Sequence, residues 1–230
     1  MVKRSEKAAP GNGPAQFSRE HPAVRRSLLI EAARRCIAEG GIAAFTVDNI
    51  SRKAGVSRGL LNHYFPSKND LLIEIYRTSL YSNIVQPAGS AAGVSPEVEL
   101  CAMVEANFAP RFFSRSDLLL WLSLWTEIAV NPELKAIHRK LYDAYRSALA
   151  HAIERVAESR RHEVDSSLLA LSFLGLVDGL WIEWCLNPKI LSRNDARNAC
   201  YAMLEAHLGR LRDISSPARR LRAFAAPHTP

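Results

Sequence analysis

The chain has 230 residues, 48% of them hydrophobic, and a formal net charge of +7. That is enough chain to bury a sizeable core, and its four cysteines stand far apart without paired metal-ligand or redox spacing. Cys36, Cys101, Cys185 and Cys200 are therefore expected as buried free thiols in a reducing cytoplasm, which excludes a disulfide scaffold and a cysteine metal site.

The apolar positions recur at helical spacing with no alternating β-branched runs, so the expected class is all-α. Residues 1–21 carry Pro10 and Pro14 and little apolar content, the composition of a disordered arm. A helix is expected over 22–39, with Val24, Leu28, Ala32, Cys36 and Ile37 on its inner face, ended by Gly40 and Gly41. Its Arg25, Arg26, Arg34 and Arg35 make a basic rim.

Thr46 is a good N-cap for a short helix to about Ala54, in which Val47, Ile50 and Ala54 point inward. Gly55 makes a turn, Ser57 caps a second short helix over 58–64, and Pro66 stops it. Two short helices joined by a glycine turn form a helix-turn-helix, whose second helix enters the major groove of DNA. Residues 1–66 hold 11 Lys and Arg against 5 Asp and Glu, whereas 67–230 hold 19 against 18, so the excess charge sits with this module and points to an anionic partner.

Ser67 then caps a bridging helix from Lys68, and 86–96 form a Pro/Gly/Ala/Ser loop. Further helices are expected over 96–113, 117–130, 132–161, 165–186 and 193–211, the third of them the spine of a second domain. The predicted organisation is a disordered arm (1–21), a three-helix DNA-binding module (22–66), a larger helical ligand-binding and dimerisation domain (67–212) and a flexible tail (213–230). The apolar run 168–182 is interrupted by Asp178 and falls short of the roughly 20 residues that span a bilayer, so no membrane partner is expected. No phosphate-cradling glycine loop, metal-binding histidine pair or nucleophile elbow is present, so neither enzyme chemistry nor a cofactor is expected.

On helix 58–64, Arg58 can offer a bidentate fork to guanine, Asn62 can pair with adenine, and Leu60 can meet a thymine methyl. Gly59 lets the helix approach the duplex closely, while Val56, Leu61 and Phe65 belong to the core. The plainer alternatives are a solvated surface arginine at 58 and a packed or titrating histidine at 63. One such helix covers few base pairs, so specificity calls for a symmetric dimer on a palindrome. Helices 165–186 and 193–211 are the best dimer surface: the first is apolar nearly all round, and the second carries Cys200, Leu204, Leu208 and Leu211 as a stripe. The alternative is that both are interior helices.

Thr46, Ile50, Ala54-Gly55-Val56-Ser57, Gly59, His63-Tyr64-Phe65, Lys68 and Leu71-Leu72, ahead of a longer neutral helical domain, resemble the tetracycline-repressor (TetR) family of bacterial transcriptional regulators. Asn62-His63-Tyr64-Phe65 with Lys68, then Trp121, Trp125, Pro132 and Leu176-Val177-Asp178-Gly179-Leu180-Trp181, resemble its choline-responsive BetI branch over about 24–210. The resemblance implies that Arg58, Gly59, Leu60, Asn62 and His63 face the groove and that Thr46, Tyr64 and Lys68 meet phosphates, with Ser57 completing the DNA-binding set. It also implies that the two dimer helices pair with their symmetry mates as a four-helix bundle.

The same resemblance makes Trp121, Trp125, Asp178 and Trp181 candidates for an effector box. A quaternary ammonium cannot donate a hydrogen bond, and a site for it uses aromatic faces and a nearby negative charge. The alternatives are aromatic residues that only fill the core, and an Asp178 bonded to a helix end or an arginine. The function implied is a cytoplasmic, ligand-responsive repressor that binds double-stranded operator DNA as a homodimer and is released by choline or a related compound. The competing reading is a TetR-type repressor or activator of an unrelated pathway with a different apolar effector.

Overall fold

Helix boundaries in this protein fall where side chains cap them. The computed structural model describes residues 21–80, 94–110 and 113–211, and within these it contains nine α-helices and no strand. The arm at 1–20, most of the 86–96 loop and the tail at 213–230 lie outside the described residues. Helix α1 (Pro22–Gly40) begins on a proline and ends at Gly41, whose φ of 64° only glycine adopts readily. Helices α2 (Val47–Ala54) and α3 (Arg58–Tyr64) start at Thr46 and Ser57, and α4 (Lys68–Leu80) opens with a reciprocal pair in which Ser67 Oγ accepts from Asp70 N–H and Asp70 Oδ2 accepts from Ser67 N–H.

In the second half, Ser95, Ser114, Asn131, Asp165 and Ser192 cap α5 (Pro96–Asn107), α6 (Arg115–Val130), α7 (Pro132–Arg160), α8 (Ser166–Leu186) and α9 (Arg193–Leu208). Three boundaries differ from expectation. Helix α5 stops at Asn107 rather than near Phe113, in keeping with Pro110 just beyond, which has no N–H to continue the ladder. Helix α6 starts two residues before Asp117 because Ser114, not Asp117, is its cap. Helix α9 ends at Leu208, since Gly209 turns the chain at φ 73°.

The 29-residue α7 runs about 44 Å at 1.5 Å per residue and packs against α4, α5, α6, α8 and α9, so it is the spine. Along its inner stripe, Leu134, Tyr145, Leu149, Ala152 and Val156 are buried, while Ile137 and Leu141 are only partly so. Helix α1 is turned differently from its predicted face. Ala32, Cys36 and Ile37 are buried, but Val24 and Leu28 are 48% and 38% exposed, and Leu29, Ile30 and Ala33 are buried instead. The helix packs against α2, α4 and α6, and contact on several sides needs a wider apolar arc than a single stripe.

Two corrections concern the expected dimer helices. The α9 stripe Cys200, Leu204, Leu208 and the following Leu211 is fully buried within this chain, so it is core and not a free surface. Helix α8 is split: Leu169, Phe173, Leu174 and Val177 are buried, while Leu168 and Leu171 are 59% and 51% exposed, beside the exposed Gly175 and Gly179. With 21 residues and a mean hydropathy of 1.6 in its most apolar window, α8 is long and apolar enough to cross a bilayer by length and composition alone. Its inner edge, however, packs against α6, α7 and α9, as a core helix does.

A DNA-reading head joined to an aromatic box

The short helices present their side chains on two distinct faces. Ile50 and Leu61 are buried, and Phe65 is only 3% exposed beneath the Arg26 guanidinium, 4.9 Å from its ring centre. Gly55 takes the left-handed conformation that the turn requires, with φ 67° and ψ 33°. This fixes α3 with Arg58, Gly59, Asn62 and His63 exposed along one side, Leu60 and Tyr64 half-buried beside them, and Lys68 exposed at the start of α4. All the predicted groove-facing and phosphate-facing residues therefore reach the surface of one module.

Thr46 and Ser57 do double duty. Their side-chain oxygens accept from Asn49 N–H and Leu60 N–H, each at 3.2 Å, which leaves each hydroxyl proton free to donate outward. Among the described residues a Cβ added to Gly59 would meet only Ser57 Oγ, at 3.9 Å, so none of them requires glycine there. Arg58 is not a free arginine: its Nε lies 2.5 Å from Asp48 Oδ1, a pairing across the two short helices that the sequence did not suggest. Lys68 Nζ sits 5.5 Å from the centre of the Phe45 ring, which holds it near the module without neutralising it.

The second candidate site is a narrow, partly open cavity of about 20 Å³ between α4, α5, α6, α7 and α8. Trp121, Trp125, Asp178 and Trp181, the four residues singled out from sequence, all line it. Trp121 and Trp181 stand with ring centres 6.3 Å apart, and Tyr76 meets Trp121 edge-on at 6.0 Å. Trp184, the fourth tryptophan, packs on Phe113 at 4.8 Å instead. Neither Glu127 nor Glu183 lines the cavity, so Asp178 is the carboxylate of the box among the described residues.

Five polar or aromatic lining residues were not foreseen in this role: Tyr76, Asn107, His138, Tyr142 and Tyr145. His138, Tyr142 and Tyr145 stand at i, i+4 and i+7 of α7 and so share one helical face, whereas Tyr76 of α4 and Asn107 of α5 have no local pattern in common with them. Asp178 accepts from Tyr142 Oη at 2.9 Å, so its partner is neither a helix end nor an arginine. Burial pushes its carboxyl up to about 6 against the opposing effect of the Tyr142 bond. Burial, with the nearby Asp178 charge, also raises the Tyr76 and Tyr142 phenols. Burial holds His138 below its ordinary value, towards the neutral ring, whose Nδ1 can accept from Tyr76 Oη at 2.7 Å.

The chemistry of this lining is one-sided. It combines π faces and a carboxylate with no Lys or Arg among the described lining residues. Trp181 Nε1 is buried without a hydrogen-bond partner, an N–H donor left over.

The box is mechanically joined to the reading head. Tyr76 belongs to α4, which opens with Lys68, and it is fully buried against Trp121 and His138. Arg34 of α1 bonds Ser79 of α4 and Asp117 of α6, the latter at 3.1 Å, and Asn131 Nδ2 donates to Asn69 Oδ1 at 2.6 Å. Helix α4 thus makes contacts with both regions.

Comparison with known proteins agrees with this two-part arrangement. The family model described as bacterial regulatory proteins, tetR family, matches residues 29–75, and the one described as BetI-type transcriptional repressor, C-terminal, matches 96–209. The HTH-type transcriptional regulator BetI 2 of Chromohalobacter salexigens is 30% identical over 203 residues, 84% of this chain and 94% of the relative. BetI of Ectopseudomonas mendocina is 29% identical over 197 residues, covering 82% and 96%. Among solved structures, a transcriptional regulator from Pseudomonas aeruginosa PAO1 superposes with a TM-score of 0.71 at 30% identity, covering 84% of this chain and 94% of its own. A regulator from Saccharomonospora viridis in complex with choline shares the fold, with a TM-score of 0.71 at 24% identity over 80% of this chain and 96% of its own. With a helix-turn-helix head, a matching C-terminal domain and relatives that are regulators along nearly their whole length, the chain belongs to the TetR family of bacterial transcriptional regulators, with a BetI-type C-terminal domain.

Proposed function

We propose that this regulator is a repressor that binds a palindromic operator as a homodimer in the cytoplasm and is released by a quaternary ammonium effector of the choline type. The observation that carries the reading is the box itself: Trp121, Trp181 and Tyr76 supply π faces, Asp178 supplies a negative charge, and no lining cation competes for it. Cation–π contacts contribute roughly 0.5–2 kcal/mol each, and they suit a cation that has no proton to donate. The unpartnered Trp181 Nε1 suits an effector that also carries an acceptor oxygen. The choline complex of the Saccharomonospora viridis protein, similar in fold, adds weight to this choice.

Residues 22–66 act as the reading head and 67–212 as the effector and dimerisation domain. Arg58, Leu60, Asn62 and His63 face bases, Gly59 gives clearance, and Thr46, Ser57, Tyr64 and Lys68 hold phosphates. The dimer forms on the outer face of α8, where Leu168 and Leu171 are exposed, and where a Cβ on Gly175 or Gly179 would meet nothing in this chain. A head group much larger than the 20 Å³ cavity has to displace a wall, and the wall contributed by α4 is Tyr76. Effector binding then couples to operator affinity through α4, by favouring a state that the DNA does not.

Selection of bound duplex from a random pool, with and without choline, betaine aldehyde and tetramethylammonium, tests the reading. The expected result is a palindrome whose recovery falls with choline, together with a rise in melting temperature of the free protein. A palindrome indifferent to all three compounds would leave a regulator of an unrelated pathway and remove the ammonium reading.

A further inference from the structure

Asp48 is a carboxylate on a surface built to meet polyphosphate. It occupies the first turn of α2, and its side chain is 61% exposed, next to the exposed side of α3. Near DNA such a charge is repelled by every phosphate, whatever the base sequence. A helix N-terminus favours an acidic residue, but that preference concerns α2 alone. It does not explain why Asp48 Oδ1 reaches across to α3 and sits 2.5 Å from Arg58 Nε.

The geometry of a guanidinium gives that contact a consequence. Arginine carries five N–H donors in a planar fork, and guanine is read by two parallel donors on O6 and N7. The carboxylate lies against Nε as an ion pair, and the two terminal amino groups remain for a base, at the end of a side chain that is 70% exposed. A free arginine loses rotamer entropy when it is fixed on a base, and one already held by a carboxylate has less to lose. The same carboxylate disfavours docking on duplex that gives Arg58 no base to bind, because its repulsion by nearby phosphates is then offset by no base contact.

We infer that Asp48 is a specificity-determining residue of the reading head: through its ion pair it holds Arg58 in a base-reading posture, and its charge adds a repulsion felt on every sequence that only the Arg58 base contact on the operator offsets. The inference rests on α3 being the major-groove helix. It assigns a role in discrimination to a residue that need touch no base.

The test uses the full-length protein and four forms: wild type, Asp48→Asn, Arg58→Ala and the double variant. Affinity is measured for the selected operator and for random duplex over a range of salt, with thermal melting of each form. Asp48→Asn is expected to lower operator affinity about tenfold, the scale of one good base contact, while random-duplex affinity stays level or rises. In the Arg58→Ala background the same Asn substitution should no longer weaken operator binding, since the posture it supports has gone. Arg58→Lys, which keeps the charge but lacks the fork, should behave like Arg58→Ala on the operator. The inference is overturned if Asp48→Asn lowers operator and random-duplex affinity equally, if its effect persists without Arg58, or if its operator loss tracks a fall in melting temperature. A wild-type protein with no sequence preference, or an Arg58→Ala variant that keeps the full preference, would overturn the placement of α3 as well. Those two outcomes are separable from failure of Asp48 alone.

Discussion

Tyr142 donates its hydroxyl to Asp178 at 2.9 Å across the seam between α7 and α8. A phenol thereby partners a carboxylate that would otherwise be buried among tryptophans and leucines. The bond does not fully offset the loss of water, because the Asp178 carboxyl still stands at about 6.

The sign of the resulting pH effect is fixed. An aspartate has a value near 3.9 in an unfolded chain. Between about 4 and 6 the folded protein binds the extra proton, so stability falls as pH rises through that window and levels off above it. Asp178→Asn should therefore raise stability above pH 6 by on the order of 2 kcal/mol, with the gain vanishing near pH 4. Melting temperature against pH for both proteins checks this, and parallel curves would refute it. The same variant should lose the stabilisation given by choline, and wild-type choline affinity should weaken as pH drops below 6.

Tyr76→Phe keeps the ring that closes the box and removes only the hydroxyl, 2.7 Å from His138 Nδ1. Loss of one such bond costs about 1 kcal/mol of stability. Its larger effect should be on communication. Choline should still stabilise the variant, yet release it less completely from the operator. Fluorescence anisotropy with labelled operator separates the two quantities, and an unchanged release curve would move the coupling elsewhere.

Lys68 and Arg58 should fail in different ways. Lys68→Ala should weaken all duplexes alike and reduce the salt slope by about one, whereas Arg58→Ala should cost about 1–3 kcal/mol on the operator and relax base preference at one position. Equal losses on operator and random DNA from both variants would contradict the division of labour.

Gly179 offers a test of the dimer face that depends on sign. Among the described residues an added methyl meets nothing within 4 Å, so Gly179→Ala should stabilise an isolated helix by about 1 kcal/mol. If α8 packs closely against a second copy, the same change should instead weaken association. Leu171→Glu, on the same exposed face, should give monomers in sedimentation and abolish operator binding.

The parts of this molecule that were legible in its sequence are those set by neighbours in the chain. Thr46, Gly55 and Ser57 specify their caps and turn within three or four residues, so α2 and α3 fall where expected. Trp121 and Trp125 are four apart on one helix and share a face with the cavity for the same local reason. His138, Tyr142 and Tyr145 share one face of α7 by the same spacing, but that this face and Tyr76 of α4 meet the tryptophans follows only from how the helices pack, which no local spacing encodes. The α9 stripe was misassigned on the same ground: periodicity reveals that a face is apolar, but not whether its partner is the same chain or another. The Arg58–Asp48 pair escaped notice because its members are ten positions apart on different helices.

The narrowness of the box bears on sensitivity. A cavity of about 20 Å³ has room for about one water, so a trimethylammonium group enters only molecules whose walls have parted. If one molecule in about a hundred is open, apparent affinity is a hundredfold weaker than the affinity of the aromatic faces themselves. The set point of the regulator is then written in how firmly Tyr76 and its helix close the cavity. Substitutions remote from the effector, at the Arg34–Asp117 or Asn69–Asn131 tethers, should tune the dose at which the gene responds without altering a single contact to the ligand.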